Sequence, residues 1–406
     1  MRIGIITHGT RGDVQLLLAL AQRLRDRGHR VAICCPRSSV ELVRQQGFCV
    51  RGMTFDADQR VRDPSLQKAI ASGDGNTCIS AYWQAMEMQS GDAGATAGKE
   101  AWSFVRDFEP DILVGNPILL GENLVALAES HQLPVVIANV VPFIPSRVAY
   151  PCMQTWEKLR AKGIEDDPIV AHKQLFASFF SANDLADHNS LRQRWGLRPY
   201  SSVSDLYASF HAVPNANCWS AAVAPEPDDL RIEFPLARQT GYLYAETSNE
   251  YAPPVELQAF LQKHRGRKPV YVGFGSLSAG EPRLVTEKIL RALMRLSGRG
   301  CVMIGGWSGI GPEHLDEKLT PDYAELKAFA DWGVVKVRSA PHSWLFPQCC
   351  AAVHHGGAGT TGAAARAGLP MAIVPFAWDQ PWWAQRMAEL GVGVALPSVI
   401  TEVSEE

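Results

Sequence analysis

His354-His355-Gly356-Gly357-Ala358-Gly359-Thr360-Thr361-Gly362 is the stretch on which the reading of the fold turns. It follows the apolar run Ala351-Ala352-Val353 and leads into Ala363-Ala364-Ala365-Arg366-Ala367, residues of high helix propensity. A strand ends, glycines turn the chain, and a helix begins. The start of such a helix carries unpaired backbone N–H groups and the positive end of the peptide dipoles, which suits an anion. Glycines let a phosphate approach the backbone, and the hydroxyls of Thr360 and Thr361 can add donors. By itself the stretch reads as a diphosphate cradle. Gly357, Gly359 and Gly362 also spell GxGxxG, with Asp379 about 20 residues on, as in a dinucleotide fold. The late position of the motif, its two leading histidines and the Gln380-Pro381-Trp382-Trp383 that follows Asp379 argue against hydride transfer.

Working outward, the same half of the chain repeats short apolar runs separated by helical segments. They are Val270-Tyr271-Val272-Gly273-Phe274, Cys301-Val302-Met303-Ile304, Val334-Val335-Lys336-Val337, Ala351 to His354 and Met371-Ala372-Ile373-Val374. Gly275-Ser276 forms a second strand-end loop, which reads either as a partner to the glycine stretch or as an ordinary tight turn. The N-terminal half has the same rhythm. Arg2 to Thr7 is followed by Val14, Leu17, Leu18, Ala21 and Leu24 at helical spacing, a stop at Gly28, and a second strand at Val31 to Cys35 closed by Pro36. Ile112 to Gly115 and Val135 to Ala138 continue it around a helix near Glu122 to Ser130. Strands alternating with helices imply parallel βαβ units covered on both faces. From Tyr150 to Leu230 the rhythm fails, and the segment reads as helices and loops outside the sheet. The polar, Pro-containing stretch Tyr242 to Pro254 is the linker candidate. The expectation is an α/β protein of two doubly wound parallel-sheet domains, 1–238 and 239–406, across a cleft.

Composition agrees with this and narrows the partners. The 406 residues exceed what one core usually organises, and 46% apolar with 20% charged residues is ordinary for a globular protein. A net charge of −3, with no Lys/Arg block, gives no nucleic-acid stripe. Nothing reads as a transmembrane span or a secretory signal, so a cytoplasmic location is expected. The nine cysteines are an odd number without a CxxC pair, and Cys34-Cys35 and Cys349-Cys350 read as buried free thiols, not metal ligands.

Three stretches together resemble a known family. They are Ala340-Pro341-His342-Ser343-Trp344-Leu345-Phe346-Pro347, His354 to Thr361, and Pro375-Phe376-Ala377-Trp378-Asp379-Gln380-Pro381-Trp382-Trp383. They look like the donor-binding half of family 1 glycosyltransferases, nearest the sterol glucosyltransferase and antibiotic (glycopeptide, macrolide, polyene) branches. Gly9-Thr10-Arg11-Gly12-Asp13-Val14-Gln15 resembles the opening loop of those branches, whereas Tyr150 to Leu230 carries little likeness. The resemblance implies an inverting, metal-independent hexosyltransferase of the GT-B fold, two Rossmann-like domains with the acceptor on the first and the donor on the second. It implies that His355, Gly356, Gly357, Ala358, Gly359 and Thr360 hold the diphosphate together with Ser276. Asp379 and Gln380 would meet the sugar hydroxyls, His342 within Ser339 to Trp344 the nucleobase side, and Trp307 the donor side. His354 reads instead as a core histidine, and Trp382 and Trp383 as either helix packing or sugar contact.

Asp13 is the candidate catalytic base, in the place where plant members carry a histidine. An acceptor hydroxyl loses its proton as it attacks, and a positioned carboxylate can take it. The competing reading is a helix N-cap just before an apolar run. Asn116 stands near the place of the aspartate that orients the plant histidine. Arg11 would approach the diphosphate or pair with a surface acid, and His8 is an alternative base.

Leu16 replaces a usual proline. The family pattern also runs on into helices beyond Pro397, the last crossing back to the first domain, while this chain stops at Glu406, which leaves domain closure open. Ala363 stands where plant members bind the ribose with a glutamate, so UDP and dTDP donors both remain, with UDP-glucose favoured by likeness to the sterol branch. The expected reaction moves glucose onto a hydroxyl of a lipophilic sterol, polyketide or phenolic, with no bound cofactor. Nucleotide-sugar epimerisation or hydrolysis on the same fold, and a non-catalytic activator of a partner transferase, are the alternatives.

Overall fold

A computed structural model describes residues 1–54, 63–71, 90–116, 124–141, 167, 169–170, 182–244, 251–275, 281–296, 299–305, 309–376 and 379–397. The described strands form two sheets in which every pairing is parallel. The first holds β1 (Arg2–Ile6), β2 (Arg30–Pro36), β3 (Cys49–Met53), β4 (Ile112–Gly115), β5 (Val135–Asn139), β6 (Asn215–Asn217) and β7 (Ala237–Gln239), in the order β3-β2-β1-β4-β5-β6-β7. The second holds β8 (Val270–Gly273), β9 (Cys301–Ile304), β10 (Val334–Val337), β11 (Ala351–His354), β12 (Met371–Ile373) and β13 (Gly393–Ala395), in the order β10-β9-β8-β11-β12-β13. These are the two doubly wound α/β sheets that the rhythm of the sequence implies.

Alternation of side chains explains why the strands are apolar throughout. Ile3 and Ile5 pack with Val31, Ile33 and Cys35 under Val14, Leu17 and Leu18 of the helix Arg11–Asp26. Ile6, Ala32 and Cys34 face the other side, against Ala101, Phe104 and Leu113. Both faces are therefore covered, as parallel sheets require. The adjacent thiols Cys34 and Cys35 consequently enter opposite cores, and burial pushes the Cys35 thiol up to about 12. Close approach of β4 to β1 depends on Gly115, where a Cβ would lie 2.3 Å from the Ile6 carbonyl oxygen.

Several elements differ from the expectations. The sequence reading passes over β3, β6, β7 and β13, three of which have only three residues and two of which are polar (Asn215-Ala216-Asn217, Ala237-Arg238-Gln239). The segment before Leu230 is not wholly outside the sheet. It contains β6, and Leu206, Tyr207 and Phe210 of the helix Val203–His211 enter the core of the first sheet. The chain forms two compact units, one of Met1–Arg60 with Met86–Ala245 and the other of Val61–Ala85 with Glu246–Glu406. The second unit thus takes an early helix, Pro64–Ala71, whose Leu66 and Ala69 bury among Val270, Val272, Phe274, Cys301, Met303 and Phe376. An amphipathic stripe calls for a covering sheet but does not say which one, so chain order alone points to the wrong partner. No described helix is long and apolar enough to cross a membrane.

Truncating Leu66 is expected to loosen the second unit, not the first. Leu66→Ala should cost about 2–5 kcal/mol and speed hydrogen exchange in β8 and β9 while leaving β1 and β2 protected. Faster exchange in β1 and β2 instead would assign the helix to the first sheet.

Candidate active site

In an open parallel sheet, ligands bind at the C-terminal strand ends where the strand order reverses, because neighbouring connections leave there in opposite directions. The reversals lie between β1 and β4 in the first sheet and between β8 and β11 in the second. The loops that follow these four strands carry most of the residues that the sequence singles out.

In the first unit, β1 runs into Thr7 and His8, both buried, and Gly9 turns the chain with φ +100°. Thr10 is the N-cap of the helix Arg11–Asp26, and Asp13 lies three residues into that structure. The Asp13 carboxylate reaches back, its Oδ2 accepting the Thr10 N–H at 2.8 Å and the Thr10 hydroxyl at 3.3 Å. Asp13 is therefore not the N-cap itself but the returning half of a capping box. A Cβ at Gly9 would sit 2.2 Å from Asp13 Oδ2, so the turn and the carboxylate share one space. Asp13 is half-buried and Arg11 exposed, whereas His8 keeps only 2% of its surface, which sets it apart from a base that meets an incoming hydroxyl. Across the reversal, Asn116 follows β4 and bonds to both backbone groups of His8.

In the second unit, Gly275 follows β8 at φ +64° and Gly356 follows β11 at φ +86°. The His355 ring lies between two glycines. A Cβ on Gly275 would fall 2.7 Å from its Cε1, and one on Gly357 would fall 2.5 Å from its Nε2. Nδ1 of His355 has no hydrogen-bond partner among the described residues. Burial holds its pKa down to about 4, against a backbone hydrogen bond at Gly273 that pulls it up, so the ring is neutral at pH 7. Gly357 caps the helix Ala358–Arg366 with its own backbone, leaving the N–H groups of Ala358, Gly359 and Thr360 at the start of the first turn.

The histidines divide as their places imply. His354 is fully buried, and its Nδ1 accepts the Gly356 N–H at 3.0 Å. Burial first, then His355 and His342 nearby, hold its pKa far below the usual histidine range, so it remains the neutral acceptor this turn needs. Thr361 departs from expectation. Its hydroxyl is buried and donates to the Gly357 carbonyl at 3.0 Å, which leaves only Thr360 of the pair at the surface.

After β12, Asp379 stands immediately before the helix Gln380–Glu389. Its Oδ2 accepts the Trp383 Nε1–H at 2.7 Å, and burial pushes its pKa up to about 6. Trp383 is fully buried, which settles it as packing that also orients Asp379, while Trp382 meets it edge-on at 4.7 Å. The Gln380 Oε1 accepts the Phe376 N–H at 2.8 Å, so that oxygen is committed to the loop. His342 is likewise tied inward, its Nε2 3.2 Å from the Tyr271 hydroxyl and its ring stacked on Phe346 at 4.4 Å. Tyr271 escapes a sequence reading because, within an apolar strand, it looks like core. Ser276 and Trp307 lie outside the described residues. Among the described residues, no group of three or more His, Cys, Asp or Glu is arranged to hold a metal ion.

Residues 3–149 match the glycosyltransferase family 28 N-terminal domain, and residues 313–405 match the C-terminal domain of erythromycin biosynthesis protein CIII-like proteins. The chain has the GT-B fold, with two parallel-sheet α/β units. A sterol 3-beta-glucosyltransferase of Arabidopsis thaliana is 32% identical over 97% of this chain and 57% of that protein. A second from the same plant is 30% identical over 100% of this chain and 61% of that protein, and one from Leptosphaeria maculans is 31% identical over 99% and 26%. The chain thus spans less than two thirds of each of these relatives. The same fold recurs in the glycosyltransferase of kitacinnamycin (TM-score 0.63, 18% identity, 100% of this chain and 87% of that one). It recurs also in the glycosyltransferase VinC, solved in complex with dTDP (TM-score 0.61, 17% identity, 100% and 88%).

A carboxylate whose pKa is raised by burial weakens the fold wherever it is ionised. Asp379 ionises at about 6 when folded and near the ordinary 3.8 when unfolded, so stability falls as pH rises between the two. Asp379→Asn is expected to raise Tm by a few degrees at about pH 7.5, with the gain shrinking as pH falls below about 6 and vanishing below about 3.8. Calorimetry across that pH range checks it, and a gain independent of pH would contradict the burial argument.

Proposed function

We propose that this protein is a glycosyltransferase that moves a hexose, glucose from UDP-glucose, onto the hydroxyl of a lipophilic acceptor such as a sterol, with inversion at the anomeric carbon. The observation that carries the reading is the reversal between β8 and β11. There a neutral imidazole with an open nitrogen lies between two glycines at the start of a helix. This arrangement suits a diphosphate, which needs hydrogen-bond donors and backbone that can be approached closely. Since His355 is neutral, most of the field on the anion comes from the helix dipole, with Arg11 as a candidate for added positive charge.

In the proposed reaction the acceptor oxygen attacks the anomeric carbon as the bond from that carbon to the diphosphate oxygen breaks. The hydroxyl proton passes to Asp13, and the electron pair leaves with the nucleoside diphosphate, where the loop His355 to Thr360 stabilises the growing charge. A single displacement turns an α-linked donor into a β-linked product. Asp379 and Gln380 hold the sugar, with Asp379 as the acceptor of its hydroxyl hydrogens. His342, Ser276 and Trp307 complete the donor side in this reading. The glucose donor and sterol acceptor are suggested by the sterol 3-beta-glucosyltransferases, and a dTDP donor by the dTDP complex of VinC. A cytoplasmic site of action fits a nucleotide-sugar donor.

Titration calorimetry with UDP and dTDP in EDTA tests the donor site. Micromolar binding of UDP over dTDP is expected, and tight NADH binding in its place would overturn the reading. Asp13→Asn should lower transfer from UDP-glucose to a 3β-hydroxysterol by about 100- to 10,000-fold with UDP affinity retained. An Asp13→Asn protein that transfers at the original rate would remove Asp13 from the base role.

A further inference from the structure

We infer that Asn116 is a positioning residue for Asp13, a role that rests on reading Asp13 as the base. The β1–β4 ladder ends where Ile6 pairs with Gly115. One residue later the Asn116 carboxamide continues the ladder in place of backbone. Its Oδ1 accepts the His8 N–H at 3.0 Å, and its Nδ2 donates to the His8 carbonyl at 2.9 Å. Both residues keep only 2% of their surface, so solvent is a poor substitute for either bond.

What hangs from His8 gives the clamp its function. Gly9 turns at φ +100°, Thr10 is extended at φ −81° and ψ 177°, and Asp13 Oδ2 accepts the Thr10 N–H at 2.8 Å. The carboxylate is therefore referred, through four residues of chain and one returning hydrogen bond, to the place where His8 is held. An unmet buried backbone group costs about 1–3 kcal/mol, and the loop can escape that cost by moving. A displacement of about 1 Å at a reacting group can cost about 100-fold in rate. The fit is specific for an amide. A carboxylate offers two acceptors and would set one against the His8 carbonyl, while a protonated carboxyl again offers one donor and one acceptor.

The test measures glucose transfer from UDP-glucose to a 3β-hydroxysterol in detergent micelles by the unaltered protein, Asn116→Ala, Asp13→Asn and the double variant. Asn116→Ala is expected to lower kcat by about 10- to 100-fold, with the Kd for UDP unchanged because the donor residues lie in the other unit. In the Asp13→Asn background the same change should cost less than about 3-fold, since a residue acting through Asp13 loses its effect with it. An equal loss in both backgrounds, or no loss in the first, overturns the inference while leaving the base reading intact. An Asp13→Asn protein of unaltered rate overturns the base reading and the inference with it. If Asn116→Ala does not fold, Asn116→Asp serves alone. Relative to the unaltered protein, its rate should recover as pH falls from about 8 to about 5.5, and a ratio that stays flat or declines overturns the inference.

Discussion

A strand that ends leaves backbone groups without a ladder, and in both sheets of this protein a polar side chain takes over where the ladder stops. Asn116 holds His8 beyond β1, His354 holds Gly356 beyond β11, and Gln380 holds Phe376 beyond β12. Each of these side chains is almost fully buried. Buried N–H and C=O groups must be paired. Loops that must also leave room for a ligand cannot pair all of theirs with neighbouring backbone. The side chains resolve this by fixing a residue near the start of each loop and leaving the residues after it open.

Glycines do the complementary work. Gly9 shares its space with the Asp13 carboxylate, and Gly275 and Gly357 enclose the His355 ring so closely that a methyl group at either would displace it. Gly115 lets β4 come near enough to β1 for the Asn116 amide to reach His8. The pinned residue and the empty Cβ position therefore belong to one design, because a loop held by a side chain keeps its open side open.

The titratable groups are tuned by burial more than by neighbouring charge. His355 is held neutral, Asp379 is pushed up to about 6, and His354 is kept an acceptor, with desolvation the leading cause in all three. In the proposed reading an anion at the glycine turn is met mainly by backbone N–H groups, whose orientation needs no titration. The ionised Asp379 weakens the fold that carries it, a cost that residues at binding sites commonly impose.

Much of this was legible in the sequence. The runs at β1, β2, β4, β5, β8, β9, β10, β11 and β12 stand out because strands buried on both faces must be apolar throughout, and the glycine turn stands out because few other sequences let a strand hand an anion to a helix. The polar strands β6 and β7 and the largely exposed β13 do not, since they lack the buried apolar run that marks the others. Likewise Thr361 reads as an open hydroxyl until a hydrogen bond to Gly357 engages it, and nothing along the chain shows that Gln380 commits its oxygen to Phe376. By itself, the sequence determined the fold class and the places where chemistry could occur, because those follow from local periodicity and from backbone conformations that only glycine adopts easily. Tertiary structure alone decided that Leu66 covers the second sheet, that Trp383 orients Asp379, and that Asn116 reaches His8 across 108 positions. Such contacts depend on which surfaces meet, and a side chain's partners beyond its own element leave no periodic trace along the chain.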